Sequence, residues 1–474
     1  MDYSKKMPYM TLGNIAKACN GRYFGNEAQK AEQINAVFID SREVVPGSLF
    51  ISIRGKRVDG HSFIPEVFQK GALAVLSERE LRDPQGPYIL VDSTTEALKQ
   101  LAAFYRQSLD IKVVGITGSV GKTSTKEMIA AVLAQKYRVL KTAGNYNNEV
   151  GLPLTVFQLR EEHEVAVLEM GISFFGEMHR LAAIAKPDIC VITNIGLCHL
   201  ENLHTRDGIL QAKTECFAHL KAGGTVILNG DDDKLATKRE VNGKAPVFFG
   251  IPALRTVAGA IPAGELSFWA EAPENRGFDG MRAMLHTPVG EIAAEIAIPG
   301  EHNVYNALAA AAVGAELGMT AAEIAAGIAS ARTIAGRTNV IHHNGLTLID
   351  DCYNANPVSM QVALALLAKA PGRAVAVLGD MGELGAEERK LHYEVGETVG
   401  ENGISALFCT GTLAEEYVRG AAAKNPAVEI HYLPDIAALI AELKAFVKTG
   451  DTVLLKASHF MDFPRITAAL QQNA

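Results

Sequence analysis

The fold of this 474-residue chain is decided by Val113-Val-Gly-Ile-Thr-Gly-Ser-Val-Gly-Lys-Thr-Ser-Thr125. An apolar, β-branched run leads into a glycine turn, and Lys122-Thr123 then opens a helical pattern with Met128 and Ile129 on its apolar face. This order predicts a buried parallel strand, a loop and a helix whose N-terminus favours anions. The stretch therefore predicts a phosphate-binding loop and, with it, a nucleoside triphosphate as ligand.

The spacing of the glycines in this loop is unusual. Two residues separate Gly118 from Gly121, whereas the common pattern G-x-x-x-x-G-K-[ST] has four. An ordinary glycine turn between a strand and a helix is the alternative interpretation. The strand-turn-helix context favours nucleotide binding, in which the Lys122 ammonium meets the terminal phosphates and the Thr123 hydroxyl meets Mg²⁺.

Length and composition indicate a globular protein of about three domains. Hydrophobic residues make up 48% of the chain and charged residues 21%, as is ordinary for such proteins. The chain has no apolar signal segment and no apolar run of membrane-spanning length, so we expect a cytoplasmic protein without stable membrane insertion. Six scattered cysteines argue against zinc and disulfides, and a net charge of −8 argues against nucleic acid as a partner.

Strand and helix patterns alternate in three series along the chain, which predicts an α/β fold of three domains. We expect a small α/β domain at 1–108. Residues 109–335 are predicted to form a doubly wound parallel sheet with the phosphate loop and an antiparallel insert near 265–298. Residues 336–474 are predicted to form a Rossmann-like domain.

Three more side chains stand out from the sequence. Glu169 ends an apolar strand pattern at the ligand edge of a parallel sheet, where it is either a Mg²⁺ ligand or a helix cap. His199 follows the next such strand, and a packed or solvent-facing histidine is the alternative to a ligand. Lys213 shares a predicted helix face with Ile209 and Phe217, so its ammonium must reach solvent, find a partner or be chemically altered.

Together these motifs resemble the Mur ligases of peptidoglycan precursor synthesis. The resemblance covers residues 38 to 457 and is carried by Gly118-Ser-Val-Gly-Lys-Thr123, Leu168-Glu-Met-Gly171, Thr193-Asn-Ile with His199, Gly300-Glu-His-Asn303, Gly336-Arg337 and Asp350-Asp-Cys-Tyr-Asn-Ala-Asn-Pro357. Two strings, Tyr353-Asn-Ala-Asn-Pro357 and Leu378-Gly-Asp-Met-Gly-Glu-Leu-Gly385, are similar to those of the members that add D-alanyl-D-alanine to a UDP-muramyl tripeptide. The resemblance implies a monomeric amide ligase that uses ATP and Mg²⁺, with these two substrates as its partners.

The resemblance also implies roles for individual residues. Those expected to bind ATP are Gly118, Ser119, Gly121, Lys122, Thr123, Ser124, Asn303, Arg337 and Asp351. Those expected to act in catalysis or to hold metal are Lys122, Thr123, Glu169, His199 and Lys213, the last as a carbamate formed with CO₂. Those expected to contact the UDP substrate are Ser41, Arg42, Asn147 and Asn148, and those near the dipeptide are Asn354, Asn356 and Lys456.

The implied reaction is phosphorylation of the tripeptide carboxylate by ATP, followed by displacement of phosphate by the dipeptide amine. Positioning and charge neutralisation would supply most of the rate, and we expect the third domain to close over ATP. This chain departs from the family in having Lys456-Ala-Ser-His459 where Lys-Gly-Ser-Arg is frequent, which removes the arginine expected to anchor the dipeptide carboxylate.

Three other functions compete with this one. The ligase of the preceding step carries Asp-Asn-Pro-Arg, but Val358 follows Asn356-Pro357 here. Folylpolyglutamate synthetase shares the second and third domains, yet it would leave the Asp40-Ser-Arg42 domain unexplained. A nucleotide-dependent switch would also use Lys122 and Thr123, although the guanine-specific N-K-x-D string is absent from the chain.

Overall fold

Three β-sheets follow one another along residues 3–255 and 258–472, the part of the chain that the computed structural model describes. The first sheet has five strands in the order β1-β5-β4-β3-β2, all parallel except β1. Its elements are α1 (Leu12–Ala18), β1 (Arg22–Phe24), β2 (Val37–Phe38), β3 (Leu49–Ile51), α2 (Ile64–Gln69), β4 (Ala74–Ser77), β5 (Tyr88–Leu90) and α3 (Thr94–Ser108).

The second sheet carries the predicted phosphate loop. Its elements up to the end of the parallel part are β6 (Lys112–Thr117), α4 (Lys122–Leu133), β7 (Val139–Lys141), α5 (Gly151–Val156), β8 (Val165–Glu169), α6 (Glu177–Ala185), β9 (Ile189–Ile192), α7 (Leu200–Leu203), α8 (Arg206–Thr214), β10 (Thr225–Asn229) and β11 (Val247–Gly250). The spatial order β9-β6-β8 places β6 between two parallel neighbours. The carboxyl ends of these three strands therefore meet at one edge, where doubly wound sheets bind ligands.

The antiparallel segment predicted near 265–298 is present, but it extends the central sheet instead of forming a separate insert. Its strands are β12 (Phe268–Ala270), β13 (Glu274–Asn275), β14 (Met281–Thr287) and β15 (Gly290–Ile296). Because β12 pairs in parallel with β11 and antiparallel with β14, the sheet reaches ten strands. The alanine-rich helices α9 (His302–Glu316) and α10 (Ala321–Ser330) follow, and a capping box on Thr320 starts the second.

The third sheet has six strands in the order β16-β17-β21-β18-β19-β20, parallel except at β16. Its elements are β16 (Asn339–His343), β17 (Leu346–Asp350), α11 (Pro357–Ala368), β18 (Ala374–Gly379), α12 (Glu388–Glu401), β19 (Ala406–Thr410), α13 (Ala414–Lys424), β20 (Glu429–Leu433), α14 (Ile436–Phe446), β21 (Thr452–Lys456) and α15 (Pro464–Gln471). The sequence patterns did not predict β16 or β20, which lie at the two edges of this sheet.

The first two domains share one hydrophobic core, whereas the third has cores of its own. The shared core includes Leu101 and Tyr105 of α3 together with Leu181 of α6. Arg106 crosses this junction, donating to the backbone carbonyls of Ala185, Leu109 and Lys186. The first and second domains are therefore packed as one unit. The third meets them through polar side chains and through Leu197 and Phe278, which pack against its core. Among the described residues no helix is both long and apolar enough to cross a bilayer.

Candidate active site

The phosphate loop joins β6 to α4 in a conformation that its two glycines permit. Gly118 has φ 149°, and a Cβ there would lie 1.9 Å from Thr193 Oγ1. Gly121 has φ 83° and immediately precedes the first residue of α4. Because both positions are left-handed and one is closely packed, side chains are excluded. The short spacing of the glycines thus belongs to a tight loop that ends at a helix N-terminus.

Lys122, the first residue of α4, folds back over this loop. Its Nζ donates to the carbonyl of Gly118 at 2.9 Å and approaches that of Ser119 at 3.5 Å. The first N–H groups of an α-helix have no partner within the helix. The Lys122 ammonium and the free N–H groups of the first turn, which includes Ser124, therefore lie at the same end of α4. This arrangement is suited to phosphate oxygens.

The loop after β9 holds the phosphate loop from the other side. Asn194 Oδ1 accepts from the backbone N–H of Val120 at 3.0 Å, and Thr193 Oγ1 donates to the carbonyl of Val120 at 2.6 Å. Ser119 Oγ accepts from the N–H of Gly196 at 2.9 Å. The Thr193-Asn194 pair was not predicted as part of the site, although its position after a buried strand next to β6 was a usable signal.

Glu169 ends β8 beside the first turn of α4. Its Oε1 accepts from Thr123 Oγ1 at 3.2 Å and from Asn147 Nδ2 at 2.8 Å. Its Oε2 is buried without a hydrogen-bond partner in the described part of the chain. The carboxylate therefore keeps one oxygen without a hydrogen bond among the described residues, and it is not a helix cap.

Lys126 is a buried residue beside Glu169 that the sequence patterns did not single out. It is 1% exposed, its Nζ lies 3.7 Å from Glu169 Oε2 and 3.2 Å from Glu127 Oε1, and it donates to the carbonyl of Thr142 at 2.7 Å. Its ammonium partly compensates the charge of Glu169. The signal was available, since Lys126 lies one turn after Lys122 and next in the helical period to the apolar Ile129.

Lys213 is completely buried on α8. Its Nζ has no hydrogen-bond partner within residues 3–255 and 258–472. Burial lowers the pKa of its ammonium from the ordinary value of 10.5 to about 8. Of the alternatives for this lysine, a head group that reaches solvent is therefore wrong. The helix predicted to carry both Lys213 and Phe217 is shorter than expected. Helix α8 ends at Thr214, and a 3₁₀ turn continues to His219.

His199 meets the third domain. Its Nδ1 lies 2.5 Å from Oε2 of Glu383, and this hydrogen bond lowers the pKa of the Glu383 carboxyl. Ser173 Oγ lies 3.4 Å from the same ring nitrogen. Glu383 lies in the turn after β18, and the sequence patterns did not predict it as a site residue.

Arg337 brings the third domain to the phosphate loop. Its Nη2 donates to Thr123 Oγ1 at 3.4 Å, and its guanidinium lies 4.1 Å from the ring centroid of Tyr353. Asp351, predicted to reach the nucleotide, accepts from the N–H of Thr338 at 3.0 Å and from Lys456 Nζ at 2.5 Å. Both of its oxygens therefore have partners inside the third domain.

Asn303 lies at the start of α9 beside a small cavity. Its Nδ2 donates to the carbonyl of Pro299 at 2.8 Å and lies 3.1 Å from His302 Nε2, and its Oδ1 accepts from Asn306. His302 Nδ1 is buried without a partner among the described residues. The cavity, which Ser124 and Arg337 also line, encloses about 20 Å³. That is room for about one water molecule, so the seam must widen to admit a nucleotide base.

The remaining predicted residues lie farther from this cluster or already have partners. Arg42 is exposed and pairs with Asp40, whose carboxyl pKa that contact lowers to about 2. The carbonyl of Ser41 accepts from Lys70. Three of the predicted asparagines accept hydrogen bonds from nearby backbone N–H groups. Asn148 does so at the start of α5 and Asn356 at the start of α11, and Asn354 accepts from the N–H of Ala355. Lys456 is buried and bonded to Asp351 and Asn354.

The donor set suits a hard cation that phosphate oxygens help to hold. Glu169 Oε2 and the Thr123 hydroxyl are oxygen donors, and Mg²⁺ is commonly bound by one or two carboxylates together with phosphates and waters. No group of three or more His, Cys, Asp or Glu side chains among the described residues is close enough to hold a metal alone. An ion at this edge of the sheet would therefore depend on a bound nucleotide.

Comparison with known proteins agrees with this architecture. Models described as Mur ligase family, catalytic domain, Mur ligase middle domain, and Mur ligase, glutamate ligase domain match residues 33–106, 116–314 and 336–459. The UDP-N-acetylmuramoyl-tripeptide–D-alanyl-D-alanine ligase of Bacillus subtilis (strain 168) is 37% identical over 470 residues, which is 98% of each chain.

Solved structures show the same three-domain fold. A crystal structure of MurF from Acinetobacter baumannii is 31% identical and superposes with a TM-score of 0.87 over 99% of this chain and 100% of that one. MurF ligase from Thermotoga maritima in complex with ADP is 31% identical, with a TM-score of 0.80 over 92% of this chain and 97% of that one. The chain belongs to the Mur ligase family.

Proposed function

We propose that this chain is an ATP-dependent ligase that joins D-alanyl-D-alanine to a UDP-N-acetylmuramoyl tripeptide. The observation that carries the proposal is the meeting of two groups at Thr123 Oγ1, at the end of the phosphate loop: Glu169 at 3.2 Å and Arg337 of the third domain at 3.4 Å. Such a site gathers a nucleotide, a carboxylate and a guanidinium at a domain seam. The names of the relatives supply the substrates, and the alternatives are not favoured.

The reaction follows from the chemistry of a carboxylate, which is a poor electrophile. The tripeptide carboxylate attacks the γ-phosphorus of ATP, the bond to the β–γ bridging oxygen breaks, and ADP leaves. The dipeptide amine then attacks the acyl phosphate, loses a proton and expels phosphate. Protein groups need only position the reactants and neutralise phosphate charge. Lys122, the N-terminus of α4 and Arg337 provide positive charge around the phosphate loop and Thr123.

We assign the nucleotide to the loop Gly118–Ser124 and its base to the cavity beside Asn303. The buried Nδ1 of His302, which lacks a partner in the described part of the chain, is a donor available to a base. Glu169 and Thr123 would hold Mg²⁺, with His199 as a further ligand. When bound, the ion would neutralise phosphate charge and polarise the transferred group.

Lys213 is proposed to carry a carbamate. A fully buried amine whose pKa is about 8 is partly neutral near pH 7, and a neutral amine attacks CO₂, forms an N–C bond and releases a proton. The product would replace an unpartnered ammonium by a carboxylate analogue. Incubation with ¹³C-bicarbonate should give a carbamate carbon resonance that is missing in K213M, and equal signals in both proteins would contradict the assignment.

The outer subsites are assigned by resemblance. We place the UDP moiety at Ser41 and Arg42 of the first domain, with Asn147 and Asn148 along the muramyl peptide. We place the dipeptide near Asn354, Asn356 and Lys456 at the carboxyl ends of the third sheet. We further propose domain boundaries at 108 and 335, a monomer, and a cytoplasmic location, where the nucleotide substrates are made.

One assay separates the candidate functions. ADP release is measured with UDP-muramyl tripeptides carrying diaminopimelate or lysine at position three, and with D-alanyl-D-alanine, single amino acids or glutamate as the amine. We expect release only when both the tripeptide and the dipeptide are present, and E169Q should lower it by about 100-fold or more. Activity with glutamate alone, or ADP release that is independent of both acceptors, would refute the proposal.

A further inference from the structure

The contact between Glu383 and His199 crosses the seam between the second and third domains. His199 Nδ1 and Glu383 Oε2 are 2.5 Å apart. Both residues have left-handed backbones, with φ 57° at His199 and φ 63° at Glu383. A non-glycine residue with positive φ is uncommon, and such a conformation persists only where the surroundings enforce it. Two such residues meeting across a seam indicate that the contact is built into both domains.

The turn that carries Glu383 is fixed within the third domain. Asp380 accepts from the N–H groups of Thr412 and Leu413 at 2.7 and 3.1 Å. The N–H of Met381 donates to the buried ring of His392 at 2.9 Å, and the N–H of Gly382 donates to Ser458 Oγ at 2.9 Å. Three consecutive residues are thus held by polar contacts with three other segments. The backbone that leads into Glu383 is therefore anchored to the third domain.

His199 belongs to the second domain and opens α7 directly after the loop that clamps the phosphate loop. Its Nδ1 contacts the Glu383 carboxylate and lies near the Ser173 hydroxyl. Its Nε2 has no hydrogen-bond partner among residues 3–255 and 258–472. A carboxylate can only accept a hydrogen bond, so Nδ1 must carry the proton. In the neutral imidazole, Nε2 then has the free lone pair.

We propose that Glu383 is a positioning residue that holds His199 in the Nδ1–H tautomer from across the seam, with Nε2 as the ligating atom. A histidine that binds metal almost always donates its other N–H to a carboxylate, carbonyl or water, and that partner fixes the ring. Here the partner comes from another domain. The role rests on the proposed function only for the identity of what Nε2 binds.

The arrangement couples docking of the third domain to the state of the phosphate site. Because the turn that carries Glu383 is held within its own domain, its carboxylate reaches His199 only when that domain lies against the second. Arg337 contacts Thr123 in the same docked arrangement. The histidine is therefore oriented only in the docked arrangement, which would keep the site incomplete while substrates enter.

The test compares E383N and E383Q with E387Q. Asparagine tolerates the left-handed backbone but is one methylene too short, whereas glutamine keeps the length and an acceptor oxygen. Glu387 is an exposed carboxylate of the same domain that pairs with Lys390, so E387Q is the matched control. Ligand-free protein labelled with ¹⁵N-histidine reports the tautomer by long-range ¹⁵N–¹H correlation, with the His199 signal identified by its loss in H199Q.

We expect His199 to be in the Nδ1–H form in the wild type and in E387Q, and a mixture of tautomers in E383N. With Mn²⁺ and ADP as the probe, the affinity for Mn²⁺ should fall by about 10- to 100-fold in E383N, with partial recovery in E383Q. An Nε2–H tautomer in the wild type, or an unchanged tautomer in E383N, would overturn the proposal. Since the tautomer is read without substrates, a failed ligase assay would refute the proposed function and leave this result standing.

Discussion

Removing the buried charge of Lys213 should stabilise the protein in a manner that depends on pH. The ammonium lies in a fully buried site without a partner in the described chain, and its pKa of about 8 compares with an ordinary 10.5. This depression corresponds to about 3 kcal/mol of cost in the folded state when the group is charged, at about 1.4 kcal/mol per pH unit. We expect K213M to avoid that cost.

The sign follows from proton binding. Below about pH 8 the lysine is protonated in both the folded and the unfolded protein, so the folded state carries the whole cost. Between pH 8 and 10.5 only the unfolded chain binds the proton, and the free energy of unfolding rises by about 1.4 kcal/mol per pH unit. From about pH 7 to about pH 9.5 the wild type should therefore gain about 2 kcal/mol relative to K213M.

Urea unfolding in CO₂-free buffer measures this difference. Trp269 is the only tryptophan and lies in β12 of the central sheet, so its fluorescence follows the domain that contains Lys213. K56M, which removes an exposed lysine from the first domain, is the control and should behave as the wild type does. A difference between wild type and K213M that stays constant with pH, or a K213M protein that is less stable near pH 7, would refute the reasoning.

Three further predictions concern stability. R106M should lower the free energy of unfolding by about 3–5 kcal/mol, because Asp188, 3.8 Å away, and three carbonyls lose a buried partner; calorimetry would show a single transition shifted down for the first two domains. K126M should destabilise by a similar amount, and K126M/E169Q should recover part of the loss in urea unfolding, whereas strictly additive effects would argue against the Lys126–Glu169 coupling. T320A should cost about 1 kcal/mol through its capping box without changing ADP release, and a change in activity would contradict a purely local role.

Much of the fold was readable from the sequence because it rests on local patterns. The strands β6 and β8 were predicted from the apolar runs that begin near Val113 and end at Glu169, since a fully buried parallel strand is a continuous apolar run. Helix α8 was predicted too long, because the apolar spacing continues into a 3₁₀ turn at Glu215–His219. Edge strands β16 and β20 were missed, because an edge is half exposed and lacks that run.

The residues of the candidate site also differ in how far the sequence predicted them. Residues carried by short motifs, such as Lys122, Thr123 and Glu169, lie together at one edge of the sheet. Lys126, Asn194 and Glu383 were not identified as site residues, because each contacts a residue that is distant in the sequence. Their partners Glu169, Val120 and His199 lie 43, 74 and 184 positions away. The spacing of apolar residues along the chain does not indicate contacts at such separations.

The sequence by itself determined the phosphate loop, the three α/β series and the chemistry of the residues at the strand ends, because each depends on neighbours along the chain. Only the tertiary structure decided the partners of these residues. The fold buries Lys213 completely and leaves its amine without a partner among the described residues. The position of the third domain brings Arg337 to Thr123 and Glu383 to His199. Charge and tautomer at a site are set by what surrounds it, and those surroundings exist only in the folded chain.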